Sequence, residues 1–334
     1  MAGAAAGGAE LFFERLCLAQ HGSGMDVLPV IRARAERAAR LRAGGLRPIE
    51  LGFGGPLDLL TPFRLRRTLR RARPRVAVAW MNRAAGLLPR GDWVSCGRLG
   101  GFYDLRHYRN CHHLIGNTLG ITRWLVESGW PPARVHHLPN FAAEMAGAAP
   151  RRPAAVPAGA PLLLALGRLH RNKAFDTLIR AMAAIPGAHL LVAGEGPDRR
   201  ALEELARDTG VASRIHLPGW DHDTAGLLAA ADVLVCPSRH EPLGNVVIEG
   251  FSAARAVVAT RAQGPAELIH DGEDGLLCPV DDPDALAERI RAVLHDDARR
   301  ARLAVAGRRR YEAEFAAAPV LARWNRFLST VEQP

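Results

Sequence analysis

Short apolar runs alternate with amphipathic stretches along the first half of the chain. The apolar runs predict strands over 26–30, 47–51, 75–80, 93–96, 112–115 and 134–138. Helical periodicity between them predicts helices over 11–19, 32–43, 62–72 and 118–128. Such alternation predicts a parallel sheet that helices cover on both faces. Ligands bind at the carboxyl ends of strands in open sheets of this type, so the strand-end residues are candidates for a binding site. These groups are Gly7-Gly8, Asn82-Arg83, Gly100-Gly101-Phe102-Tyr103 and Asn117-Thr118.

The same alternation resumes in the second half. It predicts strands over 162–166, 189–193, 214–217, 232–237 and 257–260, and helices over 175–184, 198–208, 224–230, 245–254 and 265–269, with two more from 283 and 298. Between the halves, a segment rich in Ala and Pro without an apolar period predicts a linker. We therefore expect two doubly wound α/β domains, over 1–145 and 161–315, joined by a linker over 146–160. Two such domains place a cleft between two sets of strand ends.

The stretch 237–250 has the pattern of a strand end, a tight loop and a helix start. Gly244 and Asn245 lie near that helix start, where unpaired backbone N–H groups and a partial positive charge favour a phosphate. Glu249 lies one helical turn beyond Asn245, so its carboxylate can reach a ribose. Glu241, on the loop, can reach the group that the phosphate carries. The pattern indicates a nucleotide-sugar site.

Two further strand ends in the second half carry suitable chemistry. Arg168 and Lys173 follow the first strand of this half, and two cations suit a diphosphate. Lys173 is the only lysine in a chain that otherwise uses arginine. Gly194 and Gly196 form a glycine loop after the next strand, which would let a sugar or base lie against the backbone.

Composition narrows the class of protein. The 334 residues are 48% hydrophobic and 23% charged, which is typical of a globular protein with ample core. No apolar run approaches the roughly 20 residues that a membrane helix needs, and the Ala/Gly-rich start lacks the features of a signal peptide. Five scattered cysteines without a Cys-x-x-Cys pair fit a reducing compartment. We therefore expect a cytoplasmic protein.

The formal charge of +10 comes mostly from arginines, which crowd 32–47 and 64–75. Such crowding indicates either a basic face for nucleic acid or anionic lipid, or solvated faces of helices. Nucleic acid is disfavoured, because the chain has no zinc-finger, KH or RRM signature and few aromatic residues. Contact with a membrane surface stays open.

No metal site or cofactor is expected. The adjacent histidines at 112–113 and 136–137 point to opposite faces of their strands, so neither pair chelates as a unit. Asp221 and Asp223 have a spacing that occurs in Mn²⁺ sites, but their place before a helix favours capping. Asp282 before Pro283 also predicts a cap.

Taken together, these motifs resemble those of the retaining glycosyltransferases of family 4, which have the two-domain GT-B fold. The resemblance is carried by Glu241 and Glu249 with seven residues between them, by Gly167, Arg168, Leu169 and Lys173, and by Gly194, Gly196 and Pro197. In the first half, 7–10, 54–58, 98–103 and 115–118 are similar to bacterial members that act on the lipopolysaccharide core. The resemblance implies that the helical segment over 316–334 crosses back to the first domain.

The resemblance implies a role for each matched residue. Arg168 and Lys173 would bind the donor diphosphate, Glu249 the ribose, and Glu241 the transferred sugar as the residue most important for catalysis. The remaining donor contacts would come from backbone amides of Leu243, Gly244, Asn245 and Val246 and from Ile215 and Leu217 beside the nucleobase. Gly7 and Gly8 would let the acceptor domain close onto the phosphates. The anomeric configuration would be kept, with the departing phosphate helping to deprotonate a glycan or glycolipid acceptor.

Three departures from the family pattern matter. The glycine after the family's lysine is Ala174 here, and Gly100 and Gly101 stand where many members have a histidine. The strand before Gly7 is nearly absent, so we expect a truncated first strand and hypothesise that the natural start lies upstream of Met1. Two other functions stay open: a sugar-nucleotide epimerase on the same fold, and a non-catalytic basic protein that binds lipid or nucleic acid.

Overall fold

The structure is a computed structural model that describes residues 1–3, 7–54, 58 and 60–331. The chain divides into two compact units, each of which is described by itself. The first comprises Met1–Phe141 with Ala317–Pro334, and the second comprises Ala142–Ala316. No helix within the described ranges is long and apolar enough to cross a lipid bilayer.

All strands of the first unit that the structure describes pair in parallel, as the alternating pattern predicts, but in two groups. The strands are β1 (Val30–Arg32), β2 (Ile49–Leu51), β3 (Val76–Trp80), β4 (Val94–Leu99), β5 (His113–Gly116) and β6 (Val135–His137). β1 pairs with β2, while the others form a sheet in the order β3-β4-β5-β6. The helices are α1 (Gly8–Gly22), α2 (Ala35–Ala43), α3 (Leu60–Ala72), α4 (Met81–Leu87) and α5 (Leu119–Glu127).

The start of this unit differs from the expected pattern. The strand predicted over 26–30 begins only at Val30, because Pro29 has no N–H with which to extend the ladder. Met1 lies beside β1: its amino group donates to the Val30 carbonyl at 2.8 Å, and its carbonyl accepts from the Arg32 N–H at 2.9 Å. The sequence pattern also misses α4, which follows β3 directly without a side-chain cap.

The second unit contains one six-stranded parallel sheet. Its strands are β7 (Leu162–Leu166), β8 (His189–Ala193), β9 (Ile215–Gly219), β10 (Val233–Cys236), β11 (Ala256–Thr260) and β12 (Leu276–Cys278). Its helices are α6 (Phe175–Ala181), α7 (Arg199–Asp208), α8 (Thr224–Ala230), α9 (Asn245–Ser252), α10 (Gln263–Leu268), α11 (Pro283–Leu294) and α12 (Asp297–Arg310). The predicted strands over 162–166 and 189–193 are confirmed, and β12 was not predicted.

The strand order of this sheet is β12-β11-β10-β7-β8-β9. From β7 the chain adds β8 and then β9 on one side. It then adds β10, β11 and β12 in turn on the other side of β7. Open α/β sheets bind ligands outside the carboxyl ends of the strands at such a reversal. β7 is apolar and almost wholly buried because helices cover both faces of the sheet.

The last helix, α13 (Ala317–Thr330), packs in the core of the first unit. Trp324 on α13 is 1% exposed and stacks on Trp80 of β3, with ring centroids 6.4 Å apart. Phe12 and Phe13 on α1 contact the same indole ring of Trp80. This aromatic cluster fixes α13 against the strands of the first unit.

The segment expected to be a linker packs against the second unit. Val156, in the expected linker, is buried among its apolar side chains, and so are Ala142 and Met145 just before the linker. The Met145 N–H also donates to the Ser252 hydroxyl at 3.0 Å. The boundaries between the two compact units therefore lie after Phe141 and after Ala316.

Candidate functional site

Three loops at the carboxyl ends of β7, β8 and β10 are joined by backbone hydrogen bonds. The Leu169 N–H donates to the Glu195 carbonyl at 3.1 Å, which ties the first two loops together. The Arg239 N–H donates to the Asn172 carbonyl at 2.8 Å, which ties the third loop to the first. Because these strands are neighbours in the sheet, residues far apart in the sequence form one continuous surface at its edge.

An ion pair between Lys173 and Glu241 stands at the centre of this surface. The side chains are 23% and 15% exposed, so water screens the pair only in part. Burial by itself lowers the pKa of Lys173, but the charge of Glu241, with a contribution from Glu249, outweighs it and raises that pKa above its ordinary value. The ammonium group is therefore charged at neutral pH, with two carboxylates in its field.

The loop before α9 holds Glu241 beside the start of that helix. Gly244 has a φ of 89°, a left-handed conformation that favours glycine, and as the N-cap residue of α9 it has no side chain with which to cap the helix. A Cβ at Gly264 would lie 2.1 Å from the Leu243 carbonyl oxygen, so only glycine allows α10 to approach this loop. Glu249 lies on α9, one turn beyond Asn245, as the sequence predicts.

The structure gives a different physical reason for the glycines at 194 and 196, in the loop after β8, from the one that the sequence suggested. A Cβ at Gly194 would lie 1.8 Å from the Gly167 carbonyl oxygen, and one at Gly196 would lie 2.2 Å from that of Leu169. Their missing side chains therefore allow the loops after β7 and β8 to pack backbone against backbone. Contact of these glycines with a donor stays a prediction.

Of the other predicted donor-side residues, Arg168, Ile215 and Leu217 are exposed or half-buried. Arg168 is exposed and forms no ion pair with any residue in the described ranges. Ile215 and Leu217 are half-buried on β9, at the edge of the sheet. The Leu217 carbonyl accepts a hydrogen bond from Arg199 at 3.0 Å.

Arg239 is a residue of this surface to which the sequence pattern assigned no role. Its guanidinium donates to both carboxylate oxygens of Asp176, at 2.8 and 2.7 Å, and lies 2.5 Å from Asp281. It also donates to the Arg171 carbonyl at 2.9 Å. Arg239 thus fixes the loop of Glu241 to the loop of Lys173. Its position within the stretch 237–250 was a sequence signal for a role at this site. Its partners lie more than 40 residues away in the sequence, so the sequence did not reveal them.

The predicted acceptor-side residues lie in the first unit. Gly7 precedes α1 and Gly8 begins it, and a Cβ at Gly7 would lie 2.5 Å from the carboxylate of the buried Glu10. Gly100 follows β4 directly, and Asn117 follows β5. Gly101 and Asn117 are buried, whereas Gly100 is partly exposed.

The capping predictions are confirmed. The Asp223 carboxylate accepts from the Gly226 N–H at 2.9 Å, and that of Asp282 accepts from the Ala285 N–H at 2.9 Å.

The predicted orientation of adjacent histidines does not exclude histidine pairs between neighbouring strands. Nδ1 of His113 on β5 lies 3.0 Å from Nε2 of His136 on β6. No cluster of three or more His, Cys, Asp or Glu side chains suited to a metal ion occurs within the described ranges.

Comparisons with known proteins agree with this geometry. The family described as "Glycosyl transferases group 1" matches residues 160–296. The lipopolysaccharide core biosynthesis glycosyltransferase LpsE of Rhizobium meliloti (strain 1021) is 35% identical over 318 residues, which cover 92% of each chain. LpsD of the same organism is 33% identical over 310 residues, which cover 90% of this chain and 89% of LpsD.

A solved structure shows the same fold. Anabaena Alr3699/HepE in complex with UDP has a TM-score of 0.85 at 18% identity and covers 99% of this chain and 98% of its own. Similarity over nine-tenths of the chain to named glycosyltransferases favours sugar transfer over both an epimerase and a non-catalytic binding protein. The chain belongs to the group 1 glycosyltransferases and is an enzyme of that family with the GT-B fold.

Proposed function

We propose that the protein transfers a sugar, with retention of its anomeric configuration, from a nucleotide-diphosphate sugar to an acceptor of the lipopolysaccharide core or another cell-envelope glycan. The observation that carries this proposal is the Lys173–Glu241 ion pair beside the start of α9, where the strand order reverses. The similarity to LpsE and LpsD supports the choice of acceptor.

The donor diphosphate lies between cations and helix amides. Arg168 and Lys173 neutralise its oxygens, and the backbone amides of residues 243–246 donate to it. The position of the start of α9 supports this role, because helix N-termini favour phosphate. Lys173 stabilises the charge that develops on the leaving group, and such electrostatic stabilisation is usually the largest single contribution of a protein to catalysis.

The two carboxylates position the rest of the donor. Glu249 accepts hydrogen bonds from the ribose hydroxyls, while Glu241 orients Lys173 and binds hydroxyls of the transferred sugar. Ile215 and Leu217 line the nucleobase. The departing phosphate takes the acceptor proton, so that positioning and electrostatics suffice without a dedicated side-chain base.

The acceptor binds the first unit at the carboxyl ends of its strands, beside Gly7, Gly8, Gly100, Gly101 and Asn117. The protein works at the cytoplasmic face of the inner membrane, where its five buried cysteines remain reduced. Helix α3 supplies the contact with that surface. Leu60 and Phe63 on α3 are exposed, and so are five arginines of the same helix.

The test compares Glu241→Gln with Glu204→Gln, an exposed carboxylate on α7 that pairs with Arg200. Thermal-shift screening with UDP, GDP and ADP and their sugars identifies the donor. We then expect Glu241→Gln to lower transfer by about 10²-fold or more, as losses of electrostatic stabilisation do, while nucleotide binding persists. Glu204→Gln should behave like the wild type.

The coupling constants of the anomeric proton in the product test retention, because they distinguish α from β linkages. The proposal is wrong about the donor if none of these nucleotides raises the melting temperature. It is wrong about Glu241 if Glu241→Gln transfers sugar at the wild-type rate, and wrong about stereochemistry if the product is inverted.

A further inference from the structure

Three polar side chains converge beside Gly100, at the carboxyl ends of β4 and β5. A Cβ built on Gly100 would have only polar atoms as its three nearest neighbours. The Tyr103 hydroxyl oxygen would lie 3.8 Å away, and Nη1 of Arg98 and Nδ2 of Asn117 would each lie 3.9 Å away. These distances leave room for one ligand atom that all three groups approach.

Arg98 brings a buried positive charge to this place. It is 1% exposed, and its guanidinium lies 4.4 Å from the ring centroid of Trp80 and 5.0 Å from that of Phe12. It donates to Asn140, but no carboxylate in the described part of the chain forms an ion pair with it, and its Nε has no partner there. A buried charge without a counterion is costly, so an anion at Nη1 would be stabilised.

The other two groups also lack partners within the described residues. Asn117 is 4% exposed, and its Oδ1 is buried without a hydrogen bond. The Tyr103 hydroxyl makes no hydrogen bond with a described residue, although Glu10 is close enough to act on it electrostatically. Buried polar groups are nearly always paired in native proteins, so the unpartnered atoms of Arg98 and Asn117, beside the half-buried Tyr103 hydroxyl, indicate an absent ligand.

The charge of Arg98 indicates that the ligand group is an anion and not a neutral hydroxyl. Burial lowers the pKa of Arg98 to about 9, which still leaves the guanidinium protonated at neutral pH. Guanidinium, amide and hydroxyl groups can all donate, and a carboxylate or phosphate oxygen accepts several hydrogen bonds at once. A neutral sugar hydroxyl would leave the buried charge uncompensated.

We propose that Arg98, Tyr103 and Asn117 form an oxyanion cradle around Gly100, which binds a carboxylate or phosphate group on the acceptor. The substrate class is then an acidic sugar or a phosphorylated glycan. This inference rests on the proposed function only in naming the ligand as the acceptor of sugar transfer.

Gly100→Ala tests the cradle with little risk to the fold. The backbone at Gly100 is not in the left-handed region, and the nearest atoms would stay at ordinary contact distance, so alanine fits the empty protein. Its methyl group would occupy the place of the ligand oxygen. Gly22→Ala is the matched control, because a Cβ there meets nothing within 4 Å.

The probes are glucuronate, glucose 6-phosphate and neutral glucose, titrated by NMR against the full chain. We expect at least one acid to bind the wild type and Gly22→Ala ten-fold or more tightly than glucose does. Gly100→Ala should weaken that binding at least ten-fold, and Tyr103→Phe and Asn117→Ala several-fold. The result identifies whether carboxylate or phosphate is preferred.

Equal binding of glucose and both acids would overturn the proposal, as would acid binding that persists in Gly100→Ala. Nucleotide binding, measured by thermal shift on the same variants, is expected to be unchanged. If nucleotide binding is absent in the wild type while the cradle binds acids, the proposed donor function fails and the cradle stands.

Discussion

At the scale of single residues, the position of Lys173 depends on an unusual neighbour. Ala174 follows it with φ 50° and ψ 39°, a left-handed conformation, and is fully buried. The left-handed region costs a residue with a Cβ about 1–2 kcal/mol relative to the right-handed one. Resemblance to family 4 implied a glycine at this place, and the backbone here has the conformation that a glycine would favour. The turn aims Lys173 at Glu241.

Ala174→Gly should therefore leave the free energy of unfolding within about 0.5 kcal/mol of the wild type. Relief of the left-handed strain offsets the loss of about 0.8 kcal/mol from a buried methyl group and the greater entropy of glycine in the unfolded chain. Ala287→Gly, at a buried position inside α11, should cost about 1.3–1.8 kcal/mol because nothing offsets the same losses. Urea denaturation measures both, and equal losses would contradict the prediction.

At the scale of elements, β5 and β6 are joined by a pair of imidazole rings as well as by backbone hydrogen bonds. The rings of His113 and His136 lie 5.1 Å apart, and Phe327 of α13 lies 4.7 Å from the second of them. Burial first, and then the neighbouring His113, lower the pKa of His136 from 6.5 to about 4. The folded protein therefore holds this histidine in its neutral form.

This lowered pKa predicts a loss of stability in acid. Between pH 6.5 and about 4 the unfolded chain binds a proton at His136 that the folded protein does not, so the free energy of unfolding falls as the pH falls through that window. His136→Phe should reduce the fall, whereas His107→Gln, on an exposed turn, should not. Urea titrations at pH 7, 6, 5 and 4.5 measure the difference, and identical slopes for all three proteins would disprove the assignment.

At the scale of the whole molecule, the two clusters of arginines differ in how far carboxylates neutralise their charge. In α2, Arg37 and Arg40 bind the buried Glu14, and Arg42 binds Glu50. By contrast, the exposed arginines of α3 form no ion pair with the residues that the structure describes. They lie next to Leu60 and Phe63, which are 63% and 66% exposed. Ion pairs account for the first cluster of arginines, whereas the second cluster carries the contact with a membrane surface that we propose.

Two double variants with the same change of net charge test this difference. Arg66→Gln with Arg67→Gln, on α3, should weaken binding to vesicles of anionic phospholipid about ten-fold or more, since each basic residue near such a surface contributes about 1 kcal/mol. Arg302→Gln with Arg309→Gln, exposed on α12, should change it little. Co-sedimentation at low and high salt measures both. Equal losses would mean that net charge alone, and not α3, drives the binding.

The sequence alone was enough to predict much of the fold, including the strand, loop and helix that carry Glu241 and Glu249. The apolar runs of β7 and β8, the helix start at Asn245 and the caps at Asp223 and Asp282 depend on residues close together in the chain. Local periodicity and capping chemistry therefore determine them. The spacing of Glu241 and Glu249 is a local feature as well, because the first lies in the loop before α9 and the second lies on α9.

Only the tertiary structure decided how these pieces act together. Arg239 meets Asp176 and Asp281, and Arg98 meets Phe12, Trp80 and Asn140, each across a long stretch of chain. Nothing in a local pattern distinguishes a buried arginine from a solvated one among the many in this sequence. Burial, pairing and the convergence of polar groups on one point arise when distant segments pack, and they separate a structural or binding arginine from the rest.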